Sequence, residues 1–187
     1  MSNKSFVILI IVLCIGAAGF LTISKRAQPK EVMLGTKHTM QGQDHITRGQ
    51  KHIAYNSQPA SSGPHYNDQG APAPWGAYGQ EVPEEVFVHN EEHGGVIITY
   101  SPKLLSAENV DKLQKLFTSP YSMPKFSPSK ALVTPRDKNT HAIQIASWLY
   151  TYNLDNYDAT KLKQFYLQHV GNAPEARAGP SNTPTIN

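Results

Sequence analysis

From Phe6 to Ile23 the chain reads FVILIIVLCIGAAGFLTI, eighteen residues without a charge. As a helix rising about 1.5 Å per residue, this run spans roughly 27 Å, close to the thickness of a bilayer core. A secretory signal carries a shorter apolar region, about 7–15 residues, closed by a small-x-small cleavage site. Gly16-Ala17-Ala18 would pass as that site, but the run continues through Phe20, Leu21 and Ile23. Residues 1–24 therefore read as an N-terminal transmembrane anchor or uncleaved signal. Cys14 follows Leu13, where lipoprotein processing wants a small residue, so no lipid is expected there. Lys4 precedes the span and Lys25, Arg26 and Lys30 follow it, a difference too small to orient it.

Cys14 is also the one cysteine of the chain. No intrachain disulfide can form, and the part beyond the anchor has no thiolate for metal binding or catalysis. The 187 residues fit one ordinary domain with appendages. Charged residues at 17% and hydrophobic ones at 39% exclude both a polytopic membrane protein and a wholly disordered chain. The net charge of +3 comes from scattered Lys and Arg, so no nucleic-acid partner is expected. No phosphate loop, dinucleotide fingerprint or G-x-S-x-G elbow is present.

Residues 25–44 are polar, lack periodicity and read as a linker; 45–171 read as a His-rich domain; 172–187 are Pro/Gly/Asn-rich and read as a flexible tail. Gln58 to Pro83 is a Pro/Gly/Ser-rich stretch too long for a casual connection, and Tyr66, Trp75 and Tyr78 within it argue for packing rather than disorder. Glu85 to His89 (EVFVH) and Val96 to Tyr100 (VIITY) read as two strands of a hairpin, with Gly94-Gly95 supplying positive φ in the turn. Ser106 to Ser119 reads as an amphipathic helix capped by Ser106, with Val110, Leu113 and Phe117 on one face. Asp158 to Val170 reads as a second, capped by Asp158 and ended by Gly171. Strand-like runs recur over Lys130–Pro135 and Ala142–Tyr150. The expected fold class is α+β: a single domain with a short antiparallel sheet or hairpin, two amphipathic helices and a long Pro/Gly-rich loop, behind the N-terminal helix.

Eight histidines stand at 38, 45, 52, 65, 89, 93, 141 and 169. The sharpest cluster is His89-Asn90-Glu91-Glu92-His93, whose two imidazoles can converge on one ion. His65, in SGPHY, is the natural third donor if the long loop folds over the hairpin. Three neutral imidazoles leave a coordination position open and suit zinc, copper or iron. The plain alternative is that these rings hydrogen-bond backbone in a Gly-rich turn. The same five residues match H-x-x-E-H, the inverted zinc-peptidase signature. That chemistry needs a helix, and the flanks read as strand, so a peptidase is not expected. Met33, His38, Met40 and His45 in the linker and first loop, with Met123 in PYSMP, form a soft donor set suited to copper. Ordinary packing and chance composition explain the methionines equally well. Glu91 and Glu92 are candidates for orienting the imidazoles, and Glu92 for a general base. Trp75 and Trp148 read as core or loop anchors, and His169 as a charge at a helix C-terminus.

The runs DHITRGQKHIAYNSQPASSGPHY, WGAY and VHNEEHGGVIITYSP, with IASW at 145–148 and the closing FYLQHVGNAPE, resemble the bacterial domain-of-unknown-function family 3105. The resemblance extends from Asp44 to about Glu175. It places histidines at His45, His65, His89 and His93, with Glu92 and Gly94. Ala60 stands where that family often has proline, and Glu91 where it usually has leucine. The resemblance implies an N-terminally anchored or secreted protein whose domain is extracytoplasmic, with a shared polar site and no established reaction. Association with copper-handling proteins is implied only weakly.

The leading expectation is a membrane-anchored extracytoplasmic metal-binding protein, copper favoured and zinc the alternative, in metal binding, delivery or tolerance. His65, His89 and His93 would be ligands, with Met123 or His45 as a fourth; the membrane and a metal-handling protein would be its partners. One rival is a metal-dependent enzyme on the same histidines with Glu92 as base. Another is a metal-free interaction module whose Trp75 loop captures a protein.

Overall fold

The computed structural model describes residues 32–118, 129–176 and 185–186. The expected anchor at 1–24 and the candidate ligand Met123 lie outside the described residues. Among those described, no helix is long and apolar enough to cross a membrane.

In chain order the elements are β1 (Thr36–Lys37), β2 (His45–Ile46), β3 (His65–Tyr66), β4 (Gly76–Ala77), α1 (Glu84–Glu92), β5 (Val96–Tyr100), α2 (Ala107–Thr118), β6 (Ala131–Pro135), β7 (Ile143–Ser147), β8 (Tyr150–Leu154), α3 (Ala159–His169) and β9 (Thr185–Ile186). The class is α+β. The short antiparallel sheet expected from sequence is instead a seven-stranded mixed sheet of order β1-β8-β7-β5-β6-β4-β9. β5 and β6 run parallel, so the chain must cross over between them, and α2 lies in that crossover. β5, β7 and β8 are antiparallel neighbours.

Both faces of this sheet are covered, which explains the unbroken apolar runs of its central strands. Val96, Ile98 and Tyr100 of β5 and Ala131 and Val133 of β6 pack with Leu113 and Phe117 of α2 and Leu162, Phe165 and Tyr166 of α3. The alternate residues Ile97 and Leu132 pack with Val86, Phe87 and Val88 of α1, Ala60, Ala71 and Ala73 of the long loop, and Trp148. Asp158 caps α3 by accepting from the backbone N–H groups of Thr160 and Lys161, each at 3.0 Å.

The main departure from expectation is α1. Glu85–His89 is helix, not the first strand of a hairpin. Its start is marked by Pro83 followed by Glu84 and Glu85, acids that favour a helix N-terminus. Its end is a Schellman cap: Gly94 N–H donates to Glu91 O (2.8 Å) and Gly95 N–H to Asn90 O (2.9 Å), with Gly94 at φ 81°. The positive φ that suggested a strand turn serves a helix end. Val86 through Glu92 are all buried, so α1 shows no polar face and no helical periodicity, and the β-branched residues dominate its local pattern. The true hairpin joins β7 to β8 through Trp148-Leu149.

Described structure extends into the expected linker and the expected tail. The compact unit begins at Met33, and β1, inside the expected linker, pairs with β8. In the expected tail, Gly171 N–H donates to Gly94 O (2.8 Å), Glu175 N–H to Glu92 O (3.0 Å), and β9 pairs with β4.

Candidate metal centre

Two local structures set the site. β2 and β3 form a two-residue parallel ladder with His45 opposite His65 and Ile46 opposite Tyr66. Opposed residues of a ladder project to the same face, so the two imidazoles become neighbours, with ring centroids 4.9 Å apart. The second is the helical spacing of α1, which puts His89 and Glu92, three residues apart, on one face. That face meets β3: His65 and His89 have centroids 5.0 Å apart, and His45 and His89 5.5 Å.

One ligand-capable atom from each of His45, His65, His89 and Glu92 lies within 4.8 Å of the other three, so this group could hold a metal ion. His65, His89 and Glu92 are buried, while the His45 side chain is 46% exposed and forms the rim. The hydrogen bonds around the group fix which ring nitrogens face it. A carbonyl only accepts, so His65 Nδ1–H donates to Gly63 O (2.9 Å) and His89 Nδ1–H donates to Tyr66 O (2.7 Å). In its neutral form each ring then keeps its lone pair on Nε2. His65 Nε2 stands 3.1 Å from Glu92 Oε2, and His45 Nε2 3.8 Å from the same oxygen. A lone pair facing a carboxylate oxygen at that distance is repulsive unless a proton or a metal cation sits between them. Gln43 Nε2 donates to the other oxygen, Glu92 Oε1, at 2.8 Å, and Asn67 reaches His45 Nδ1 at 3.1 Å. Burial holds the pKa of His89 below the ordinary imidazole value, opposed by its bond to Tyr66 and by the Glu92 charge, so the ring is neutral at neutral pH.

His93 does not join this group. It caps α1, stacks edge-on to His89 with centroids 4.5 Å apart, and its Nε2–H donates to Glu175 Oε2 at 3.2 Å. His93, Glu92 and Glu175 form a second group of donors within 4.8 Å of one another. The H-x-x-E-H spacing thus does lie on a helix and its cap, contrary to the strand expected, but its two histidines belong to different donor groups. Met33 and Met40 are exposed.

The other histidines pair elsewhere. His38 Nε2 bonds Thr151 Oγ1 (2.7 Å), His52 Nε2 bonds Glu85 (3.3 Å) and His141 Nδ1 bonds Asp155 (2.6 Å). His169, in the last turn of α3, is buried and donates to Leu34 O (2.7 Å). Trp75 is 1% exposed and packs over Gly95, so it is an anchor and offers no surface to a partner.

Sequence reasoning cast Glu92 as an orienting group or general base and did not single out Gln43 or Glu175. Glu92 appears as a donor equal to the histidines, a place its i+3 spacing from His89 would have signalled had the helix been recognised. Gln43 sits in a segment without pattern, and Glu175 in the supposed tail. Asn90 acts on the scaffold instead. Its side chain accepts from Ala73 N–H (3.0 Å) and donates to Ala73 O (2.7 Å), clamping the long loop to α1. Glu91, on the same helix, is fully buried and neither carboxylate oxygen has a partner; burial, then the Glu84 charge, pushes its pKa well up.

No curated protein and no solved structure matches the chain. The family model described as "Protein of unknown function (DUF3105)" matches residues 45–182, a span that starts on the rim histidine and includes every donor of both groups. The chain belongs to that family.

Proposed function

We propose that this chain is a membrane-anchored, extracytoplasmic metal-binding protein that takes up and passes on a divalent transition metal, copper before zinc. The observation that carries this reading is the approach of His65 Nε2 to Glu92 Oε2 at 3.1 Å while Nδ1–H is committed to Gly63 O. A ligating histidine is commonly oriented in this way, its second nitrogen donating to a backbone carbonyl, and His89 repeats the arrangement through Tyr66 O. Three imidazoles and a carboxylate fit a four-coordinate divalent ion. At such a nitrogen and oxygen site the affinity order of the divalent metals ranks Cu(II) above Zn(II), which favours copper where both are present. Three buried donors and one half-exposed rim ligand suit capture and release better than permanent storage. A metal-handling protein would be the natural recipient. The anchor rests on the uncharged run Phe6–Ile23, and the extracytoplasmic side on the cysteine-free domain and the family resemblance.

Binding is favoured over catalysis because Glu92, the candidate base, is itself packed among the donors and held by Gln43. The test is elemental analysis of the full-length chain, purified in detergent without chelator and then equilibrated with Cu(II) or Zn(II). At least one tightly held equivalent per chain is expected, lost in His65→Ala and in His89→Ala. Folded variants that retain the wild-type metal would refute the assignment.

A further inference from the structure

The described donors do not stop at four. Glu92 belongs to two groups, one with His45, His65 and His89 and one with His93 and Glu175. In the second group, His93 Nε2 and Glu175 Oε2 are 3.2 Å apart. Two ligands bound at about 2.1 Å to one ion are separated by a similar distance. Glu175 is placed there by the backbone: its N–H donates to Glu92 O (3.0 Å), and Lys130 Nζ donates to both His93 O (2.8 Å) and Ala176 O (2.7 Å), tying this segment to the end of α1. Among the described residues the His93 ring meets no backbone carbonyl: Nε2 meets Glu175, and Nδ1 is buried without a partner. More than nine-tenths of His93 is buried, so an ion at Nε2 would have one desolvated donor beside the half-exposed carboxylate of Glu175.

We infer that the centre has a second cation position, held by His93 and Glu175, with Glu92 as the carboxylate bridging it to the first. This rests on the first position being a metal site. Paired divalent ions in such sites lie about 3.5–4 Å apart. The Glu175 side chain is 54% exposed, so the second position opens to water and its ion is the weaker and faster exchanging of the two. The two positions would then pass an ion between a buried place and an exposed one through Glu92.

Titrating the full-length chain with aqueous Zn(II), followed by calorimetry and elemental analysis, is expected to show two equivalents, the second at least tenfold weaker. Glu175→Ala and the milder Glu175→Gln, at a half-exposed position, should remove the second equivalent and leave the first unchanged. Loading with Cu(II) should give less EPR intensity than two isolated ions, because neighbouring spins couple, and Glu175→Ala should restore the signal of one isolated ion. One equivalent in the wild type, lost in His65→Ala and indifferent to Glu175, would overturn the second position and leave the first standing. Two equivalents persisting in folded Glu175→Ala would place the second ion elsewhere and overturn it as well. Failure to bind any ion would overturn both.

Discussion

Replacing Glu91 with leucine should stabilise this protein, and by an amount that grows with pH. Glu91 is 0% exposed and neither of its carboxylate oxygens has a partner, so the folded protein holds the group protonated well above its ordinary value of 4.5. The unfolded chain releases the proton near that ordinary value. The folded pKa is raised, so the group's contribution to stability is fully present below about 4.5 and is lost as pH rises toward the folded pKa. Each pH unit in that window costs about 1.4 kcal/mol. Leucine has a similar volume, does not titrate and leaves no unpaired polar atom, which adds a pH-independent gain of about 1–3 kcal/mol. Urea unfolding of wild type and Glu91→Leu, in chelator from pH 5 to 8, isolates this one group because every other titration cancels in the difference. The difference should widen by about 1.4 kcal/mol per unit until the folded pKa is passed. Parallel stability curves, or a wild type that gains on the variant as pH rises, would refute the account of Glu91 as a buried, unpaired acid.

Two further outcomes concern the scaffold of the site. Asn90→Ala leaves both Ala73 N–H and Ala73 O without their partner and should cost about 2–4 kcal/mol in chemical unfolding, with the long loop becoming protease-sensitive; Asn90→Ala as stable as wild type would remove the clamp. Gly95→Ala would bring a Cβ within 2.5 Å of the Trp75 ring and 2.8 Å of Asn90 O, so it should destabilise by about 1–3 kcal/mol and shift the tryptophan emission. An unchanged spectrum and melting temperature would show that Trp75 does not pack there.

The elements legible in the sequence are the buried strands β5, β6 and β7, with their mostly apolar runs, and the two helices with one wet side. α2 buries Leu113 and Phe117 and leaves the rest exposed or half-buried, while α3 has a cap, Asp158, whose side chain makes the bonds its type predicts. α1 gave no such signal. It is covered by the sheet, the long loop and β3, so a polar face never appears, and Val86, Phe87 and Val88 imitate a strand. The histidines at 65 and 89 are recognisable as donors from their types and their setting. The pairing that completes the group is not, because His45 meets His65 through a two-residue parallel ladder between loops, and no periodicity encodes so short a register. Glu175 is hidden for a related reason: backbone bonds to Glu92 and Gly94, not composition, hold its segment in place.

That short ladder has a mechanical consequence. Two residues of pairing form a weak fastening, and the domain has no cysteine with which to reinforce it. An ion held jointly by His65 and Glu92, 27 positions apart in the chain, acts as a cross-link. Closing a loop of that size removes roughly 3–4 kcal/mol of chain entropy from the unfolded state. Under the proposed function the cargo would double as the rivet: with the ion gone, the strand carrying His45 would be the first piece free to lift, and a returning ion would draw it back onto the helix.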